Sequence, residues 1–205
     1  CQSAQAIALA LDVFEPAEKS EAFTRLIEFI EQRDEHFDTG FYGARYLFHV
    51  LSDFGAEELA YHMITRTDAP SFGFWIKNGA TTLYESFEEG GLCGASLNHH
   101  FWGEYSAWFM RVILGIDVNP KATDPKNVDI APKFLEKLEH AEGYYDTVCG
   151  KLSVSWKRDG DAVILNVTVP EGIYGTIKLP FGWRFENTDH AFRPLETVSV
   201  RVKSL

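Results

Sequence analysis

The stretch FGFWIKNGATTLYESF (residues 72–87), continued after a glycine-rich acidic loop by SLNHHFWGEYSAW (residues 96–108), is the centre of the chain. It begins with aromatic residues separated by glycine, and the carboxylate of Glu85 follows two threonines. Two histidines, His99 and His100, lie at the predicted start of a helix near its end. Aromatic rings pack on the C–H face of a sugar, and carboxylates and imidazoles bind hydroxyl groups. The residue types leave two interpretations open, a sugar site and an aromatic core seam with a polar loop.

Upstream of this stretch, apolar residues recur at helical spacing. The pattern predicts helices over residues 2–14, 16–33, 44–54 and 56–66, and a later one that runs through Trp108 and stops at Gly115. Gly55 is predicted to end the third helix, and Gly40 and Gly43 to allow positive φ or a close approach of the backbone to a ligand. Helices paired in this way form bundles or toroids of concentric helices.

Beyond a segment rich in Pro and Asp at residues 117–126, the hydrophobic period changes from helix to strand. Residues 151–156 and 162–169 alternate on either side of Asp159-Gly160, which predicts a β-hairpin. Further predicted strands are residues 174–179 and 197–202, with weaker ones at 127–130 and 144–148. The sequence therefore predicts a multidomain α+β chain, with a helical domain over residues 1–117 and a small antiparallel β-sandwich over 118–205.

Composition limits the partners and the compartment. The net charge of −11, from 19 basic and 30 acidic residues, argues against non-specific binding to nucleic acid or to an anionic membrane. No apolar run predicts a membrane span, and no His or Cys spacing suits a metal. Three scattered cysteines slightly favour a cytoplasmic location, with a periplasmic or secreted one as the alternative. Cys93, in the glycine-rich loop, is a weak candidate nucleophile because no base is near it in sequence.

Several motifs resemble those of α-L-rhamnosidases, glycoside hydrolase family 78. GATTLYE (79–85) and SLNH (96–99) are similar to the family's Gly-Ala-Thr-Thr-x-Trp-Glu and Ser-x-Asn-His signatures. HFDTGFYG (36–43), LAY (59–61) and PSFGF (70–74) resemble further family motifs in the same order, so that the similarity covers residues 2–180. Tyr84 and Phe72 stand where the family usually has Trp, and these differences bear on the identity of the sugar.

This resemblance implies an inverting hydrolase of terminal α-L-rhamnosyl residues that uses no cofactor. It also implies a toroid, an (α/α)6 barrel with the site at its helix ends and a β-sandwich after it. About the last five helices of the barrel would be present, and the first residues are expected to be an internal segment of a longer protein. The chain is therefore expected to be a fragment that needs the preceding part of that protein, or that associates with itself through an uncovered apolar face.

By the same resemblance Glu85 is the general base and His99 contacts the sugar. Trp75 and Phe41 are candidate sugar platforms by residue type, and Thr39 is a further candidate sugar-binding residue. Glycoside hydrolysis also needs a carboxylic acid opposite the base. The candidates in this chain are Glu35, Asp38, Glu88, Glu89 and Glu104, and none lies in a motif that resembles the family's acid. The isolated chain is therefore expected to be inactive.

Other candidates have simpler explanations. Phe74 and Trp102 are further possible platforms, but aromatic stripes are more often core. Three histidines, His36, His49 and His62, are expected to be structural, and His100 is a weaker site candidate than His99. The loops that contain Thr39, Glu85 and His99 are predicted to converge at one end of the helices. Two alternatives to an enzyme remain, a non-catalytic carbohydrate-binding or scaffolding domain and a plain interaction domain with helices and strands.

Overall fold

The computed structural model describes residues 1–87, 95–117, 123–186, 191–192 and 197–204. The chain divides into two compact units, Cys1–Ala107 and Trp108–Leu205. The predicted boundary at residues 117/118 borders a segment outside the described residues and stays a prediction. None of the described helices has both the length and the apolar character that crossing a membrane requires.

The first unit is built from helices that follow one another in pairs. They are α1 (Gln2–Ala10), α2 (Lys19–Glu31), α3 (Phe41–Asp53), α4 (Glu57–Thr65), α5 (Phe72–Lys77), a 3₁₀ helix (His100–Gly103) and α6 (Glu104–Trp108). Helix α3 is central, because it packs against α1, α4 and the 3₁₀ helix. One apolar stripe of each helix supplies the core, as the periodicity predicts: Leu26 and Ile30 of α2 and Leu47 and Leu51 of α3 are fully buried.

Helix ends follow recognisable local chemistry. Gly55 has a φ of +83° and ends α3 in a Schellman motif, in which Ala56 N–H donates to Leu51 O at 2.7 Å. The buried hydroxyl of Ser71 caps α5 by accepting from Phe74 N–H at 3.0 Å. The prediction that Gly55 ends the third helix is therefore confirmed.

Several helix boundaries differ from the prediction, among them both ends of α2, and two of the differences have a clear local cause. Helix α1 ends at Ala10, four residues early, because Asp12 turns the chain with a φ of +55° and leaves Val13 exposed. Helix α3 starts at Phe41, three residues early, because the carbonyl of Gly40 already accepts from Gly43 N–H and Ala44 N–H at 3.0 Å. Phe41 therefore lies in the first turn of a helix and not in a loop.

The second unit is an antiparallel β-structure preceded by a π-helix (Phe109–Ile113). Its strands are β1 (His140–Thr147), β2 (Gly150–Asp159), β3 (Ala162–Thr168), β4 (Gly175–Thr176), β5 (Trp183–Phe185), β6 (Ala191–Phe192) and β7 (Thr197–Ser204). Five of them form a sheet in the order β1-β2-β3-β7-β5, and β4 pairs with β6 in a second, two-stranded sheet. The predicted hairpin of β2 and β3 is confirmed, with Gly160 at a φ of +65° in its turn.

The core of this unit lies on one face of the large sheet. Leu152, Val154 and Trp156 alternate inward on β2 and are at most 1% exposed. Trp156 Nε1 donates to Ile113 O at 2.8 Å, which ties the π-helix to the sheet. The weak strand predicted at residues 127–130 is wrong, because this segment makes only isolated bridges, among them Ile130 with Ile177.

Candidate functional site

Two segments of the central stretch run beside each other and build the candidate site. Residues 82–85 and 96–99 are joined by Glu85 N–H donating to Ser96 O at 2.8 Å and His99 N–H donating to Leu83 O at 2.7 Å. The Thr82 hydroxyl adds a bond to Leu97 O. We call this arrangement the paired-loop segment. Its hydrogen bonds hold the backbone of both predicted key residues, Glu85 and His99, in place.

The Glu85 carboxylate is oriented by the same pairing. Its Oε2 accepts from Ser96 N–H at 2.8 Å, and among the described residues Oε1 accepts no hydrogen bond. Glu85 is exposed, whereas His99 is half-buried. Glu85 is two positions along the chain from Leu83, about 7 Å at full extension, and Leu83 is the residue to which His99 is bonded. The convergence of these two loops is therefore confirmed.

Aromatic residues place the first turn of α3 next to His99. The Phe41 ring lies 5.0 Å from the His99 imidazole, centroid to centroid, and 5.3 Å from the Phe101 ring, on which it stacks. Phe101 in turn lies 5.3 Å from His99 and is 53% exposed. Phe41, His99 and Phe101 thus form a small aromatic cluster beside the paired-loop segment, and one of its members, Phe101, was not predicted as a site residue.

Three buried polar atoms around this cluster have no hydrogen-bond partner among the described residues. They are Thr39 Oγ1, His99 Nδ1 and Trp102 Nε1. Thr39 lies two residues before Phe41, and the Trp102 ring stands edge-on to Phe41 at 6.4 Å. Buried polar groups are normally paired, and an unpaired one costs roughly 1–3 kcal/mol. Groups of this kind fit a site that is completed by the hydroxyls of a ligand.

Gln2 and Gly43 position Thr39, and neither role was predicted. Gln2 is 1% exposed, donates to His36 O at 2.9 Å and accepts from Asp38 N–H at 2.7 Å, so it fixes the chain just before Thr39. Gly43 lets α1 come close, because an added Cβ would lie 2.5 Å from Ser3 Oγ and 2.9 Å from Thr39 Cβ. Close approach, and not positive φ, is therefore the reason for glycine at this position.

Trp75 is buried beside Tyr84 of the paired-loop segment, with the two ring centroids 5.8 Å apart. It is 3% exposed, its ring stacks on Phe87 at 3.9 Å, and its Nε1 donates to Ser86 O at 3.1 Å. Phe72 packs edge-on against Trp75 at 5.7 Å. A sugar-stacking role for Trp75 stays a prediction, and the packing gives this residue a supporting role beneath residues 84–87.

The candidate acids within the described residues each have a basic partner. Glu35 pairs with His62 Nε2 at 3.2 Å and Glu104 with His49 Nε2 at 3.2 Å. Asp38 pairs with Arg33 at 2.8 Å. Glu88, Glu89 and Cys93 lie outside the described residues. The described part of the chain contains no cluster of His, Cys, Asp or Glu that could hold a metal ion.

A network beside the site fixes the loop before α3. The Arg66 guanidinium donates to Asp34 O at 2.7 Å and to Asp68 at 2.8 Å, and His36 Nε2 lies 3.3 Å from Asp68. These Arg66 hydrogen bonds hold the pKa of the Asp68 carboxyl well below its usual range, and Asp68 raises the pKa of Arg66. Asp34 and Glu35 adopt positive φ values of 53° and 56° within this loop. The network explains why His36 is structural.

Residues 1–113 match the bacterial alpha-L-rhamnosidase 6 hairpin glycosidase domain, so the helical unit is of the six-hairpin glycosidase class. Residues 115–189 match the bacterial alpha-L-rhamnosidase C-terminal domain. The chain belongs to the bacterial α-L-rhamnosidase family.

Individual relatives agree with this assignment. An α-L-rhamnosidase of Alteromonas sp. (strain LOR) is 38% identical over 84% of the chain, and one of Formosa agariphila is 30% identical over 87%. The chain spans 19% and 20% of the length of these relatives.

Solved structures agree as well. The α-L-rhamnosidase from Dictyoglumus thermophilum matches 100% of the chain, with a TM-score of 0.82 and 28% identity, over 24% of its own length. The Streptomyces avermitilis α-L-rhamnosidase, complexed with L-rhamnose, matches 99% of the chain with a TM-score of 0.83 and 26% identity, over 21% of its length. The predicted helical hairpins and antiparallel β-sandwich are confirmed.

Proposed function

We propose that this chain supplies the general-base side of an inverting glycoside hydrolase that removes terminal α-L-rhamnosyl residues from oligosaccharides or glycosides. The observation that carries the proposal is the paired-loop segment, which holds a carboxylate close to His99. In this proposal Glu85 takes a proton from water as that water attacks the anomeric carbon. Ser96 N–H anchors one carboxylate oxygen, and the other oxygen, Oε1, is available to water.

Sugar binding is assigned to the residues around that carboxylate. His99 Nδ1 and Thr39 Oγ1 have no partner among the described residues, and either can bind a sugar hydroxyl. The Phe41 ring, at 5.0 Å from His99, offers a face to the C–H side of the sugar. Trp75 supports this surface from below through Phe87. The reaction needs no cofactor.

The general acid is proposed to come from outside this chain. Hydrolysis with inversion requires an acid at the leaving oxygen, on the other side of the sugar from the base. Glu35, Asp38 and Glu104 are each paired with a basic side chain, so none is held ready as a proton donor. The chain alone is then inactive, and exposed apolar residues such as Leu11 and Val13 favour packing against the missing part or against a second copy.

The test is a chimera in which this chain replaces the corresponding segment of the Alteromonas enzyme. The chimera should hydrolyse p-nitrophenyl α-L-rhamnoside and release β-L-rhamnose first, as detected by proton NMR. Glu85→Gln should lower its turnover by about 10²–10⁴-fold, because an amide cannot accept the proton. Glu31→Gln is the matched control, since Glu31 is exposed on α2, and it should leave turnover unchanged. The 205-residue chain alone should release no p-nitrophenol.

Other outcomes would contradict specific parts of the proposal. Unchanged turnover in Glu85→Gln would refute the role of Glu85 as general base. Retained binding of L-rhamnose by this chain would then favour the alternative that it is a non-catalytic carbohydrate-binding domain. α-L-Rhamnose as the first product would refute inversion. Turnover of about 1 s⁻¹ or more by the isolated chain would mean that the acid is in this chain, with Glu104 the first residue to replace.

A further inference from the structure

The outer face of the large sheet carries a second group of polar side chains. Because Leu152, Val154 and Trp156 of β2 face the core, Ser155 and Lys157 face the other way. The strand register then extends this outer face to the neighbouring strands. We define the outer polar patch as the side chains that line one concavity there: His140, Glu142, Ser155, Lys157 and Asn166.

The register fixes how these side chains are arranged. Glu142 on β1 is opposite Ser155 on β2, which is opposite Asn166 on β3. Neighbouring strands are about 4.8 Å apart, so the three residues form a row roughly 10 Å wide. His140 and Lys157 are opposite each other and form the next row on the same face. The concavity above them measures ≈ 380 Å³, within the usual range of about 300–1,000 Å³ for ligand sites.

The hydrogen-bonding capacity of the patch is unused. Among the described residues, none of its five side chains makes a hydrogen bond or an ion pair, although Ser155 and Asn166 are half-buried. Two charged pairs elsewhere on the same face are formed, since Arg201 binds Asp159 and Lys151 lies 3.4 Å from Asp146. The side chains of the patch differ from these pairs, because they have no partner among the described residues.

The chemistry of the patch fits a neutral polyol. Glu142 supplies an acceptor, Lys157 a donor, and Asn166 both, while the two charges cancel. A phosphate would require donors alone, and a cation would require acceptors alone. Tyr144 follows on the same face of β1, two residues after Glu142, and its ring is 55% exposed, which suits the C–H face of a sugar. Lys151 Nζ holds this ring, at 3.0 Å from its centroid.

We propose that the outer polar patch is a carbohydrate-binding site for a neutral sugar, contained entirely in the second unit. The site goes beyond the proposed hydrolase function and does not rest on Glu85 acting as a base. It would bind sugar without cleaving it, through hydroxyl contacts with Glu142, Ser155 and Asn166. A shallow, exposed site of this kind is expected to bind weakly, with a dissociation constant on the order of 1–10 mM.

The test is a titration of the ¹⁵N-labelled 205-residue chain with methyl α-L-rhamnopyranoside, followed by NMR. Saturable shifts are expected at the backbone amides of Ser155 and Asn166 and at the Asn166 side-chain amide. Asn166→Leu keeps the volume but removes both hydrogen-bonding groups, and it should weaken binding at the patch by about tenfold. Glu142→Gln should weaken it too, and this second variant keeps the test valid if the first one fails to fold.

Two controls locate the effect. Thr168→Val changes the same face beyond the patch, and Glu85→Gln changes only the first unit, so both should leave the patch shifts unaltered. The proposal is overturned if the patch shows no saturable shift up to about 50 mM sugar, well above a millimolar dissociation constant. It is also overturned if Asn166→Leu binds as tightly as the parent, or if inorganic phosphate and not the sugar shifts His140 and Lys157.

Discussion

Gly43 allows a sharp test of how α1 supports the candidate site. It lies in the first turn of α3, and an added Cβ would meet Ser3 Oγ at 2.5 Å, Ser3 Cβ at 2.9 Å and Thr39 Cβ at 2.9 Å. Two of these three atoms are β-carbons fixed to the backbone. Rotation of a side chain therefore cannot relieve the contacts, and α1 or the loop at Thr39 must move.

Two opposing effects set the expected stability of Gly43→Ala. Alanine is favoured over glycine in a helix by about 1 kcal/mol. Overpacking costs about 1–3 kcal/mol, and the fixed β-carbons place this site in the upper half of that range. The net expectation is a loss of about 1–2 kcal/mol in the free energy of unfolding. Under the proposed function, in which Thr39 binds the sugar, displacement of Thr39 should also weaken L-rhamnose binding.

Urea unfolding of the 205-residue chain, followed by the helical signal in far-UV circular dichroism, measures this loss. Gly40→Ala is the matched control, because nothing lies within 4 Å of its added Cβ, and it should stay within about 0.5 kcal/mol of the parent. Ser3→Gly removes two of the three close atoms, so the double variant should show a coupling of about 0.5 kcal/mol or more. A Gly43→Ala chain as stable as the parent would refute the packing argument.

Two further predictions concern glycine strain and pH. Gly115→Ala should destabilise the sheet unit by about 3 kcal/mol or more in urea unfolding. The φ of Gly115 is +73°, and an added Cβ would lie 2.2 Å from Pro132 N. A smaller loss of stability than for Gly43→Ala would contradict this prediction. Since the folded pKa of Asp68 is depressed by Arg66, its stabilising effect is present above the ordinary pKa of about 3.9 and is lost as the pH falls through the lower folded value. As the pH is lowered, the thermal unfolding midpoint should therefore fall less steeply in Arg66→Gln than in the parent. Equal slopes would show that the Arg66–Asp68 pair does not contribute to the pH dependence of stability.

The sequence predicts the parts of this fold that local pattern controls. The hairpin of β2 and β3 follows from alternation on either side of Gly160, and the end of α3 follows from Gly55. The convergence of Glu85 and His99 was predictable because polar and glycine-rich joins gather at helix ends. These features depend on neighbours a few residues away.

The remaining features depend on contacts between residues distant in sequence. Gln2 holds the chain before Thr39 through bonds that span 34 and 36 residues, and a lone glutamine at a helix start gives no signal of this. An aromatic residue can belong to the core or form a sugar platform, and the sequence pattern is the same in both cases. The stacking of Trp75 on Phe87 was therefore not predictable from the pattern. Residues 127–130 alternate like a strand, but whether a segment joins a sheet depends on an available partner strand.

The paired-loop segment has a consequence for evolution and engineering. Each of its four contacts uses a main-chain group on at least one side, and two of them use main-chain groups alone. Substitutions at Leu97, which is 51% exposed, and at Asn98 leave every one of these bonds available. A library that randomises these two positions can therefore vary the surface while Glu85 keeps its place. Under the proposed function, the segment is a starting point for directed evolution of sugar preference.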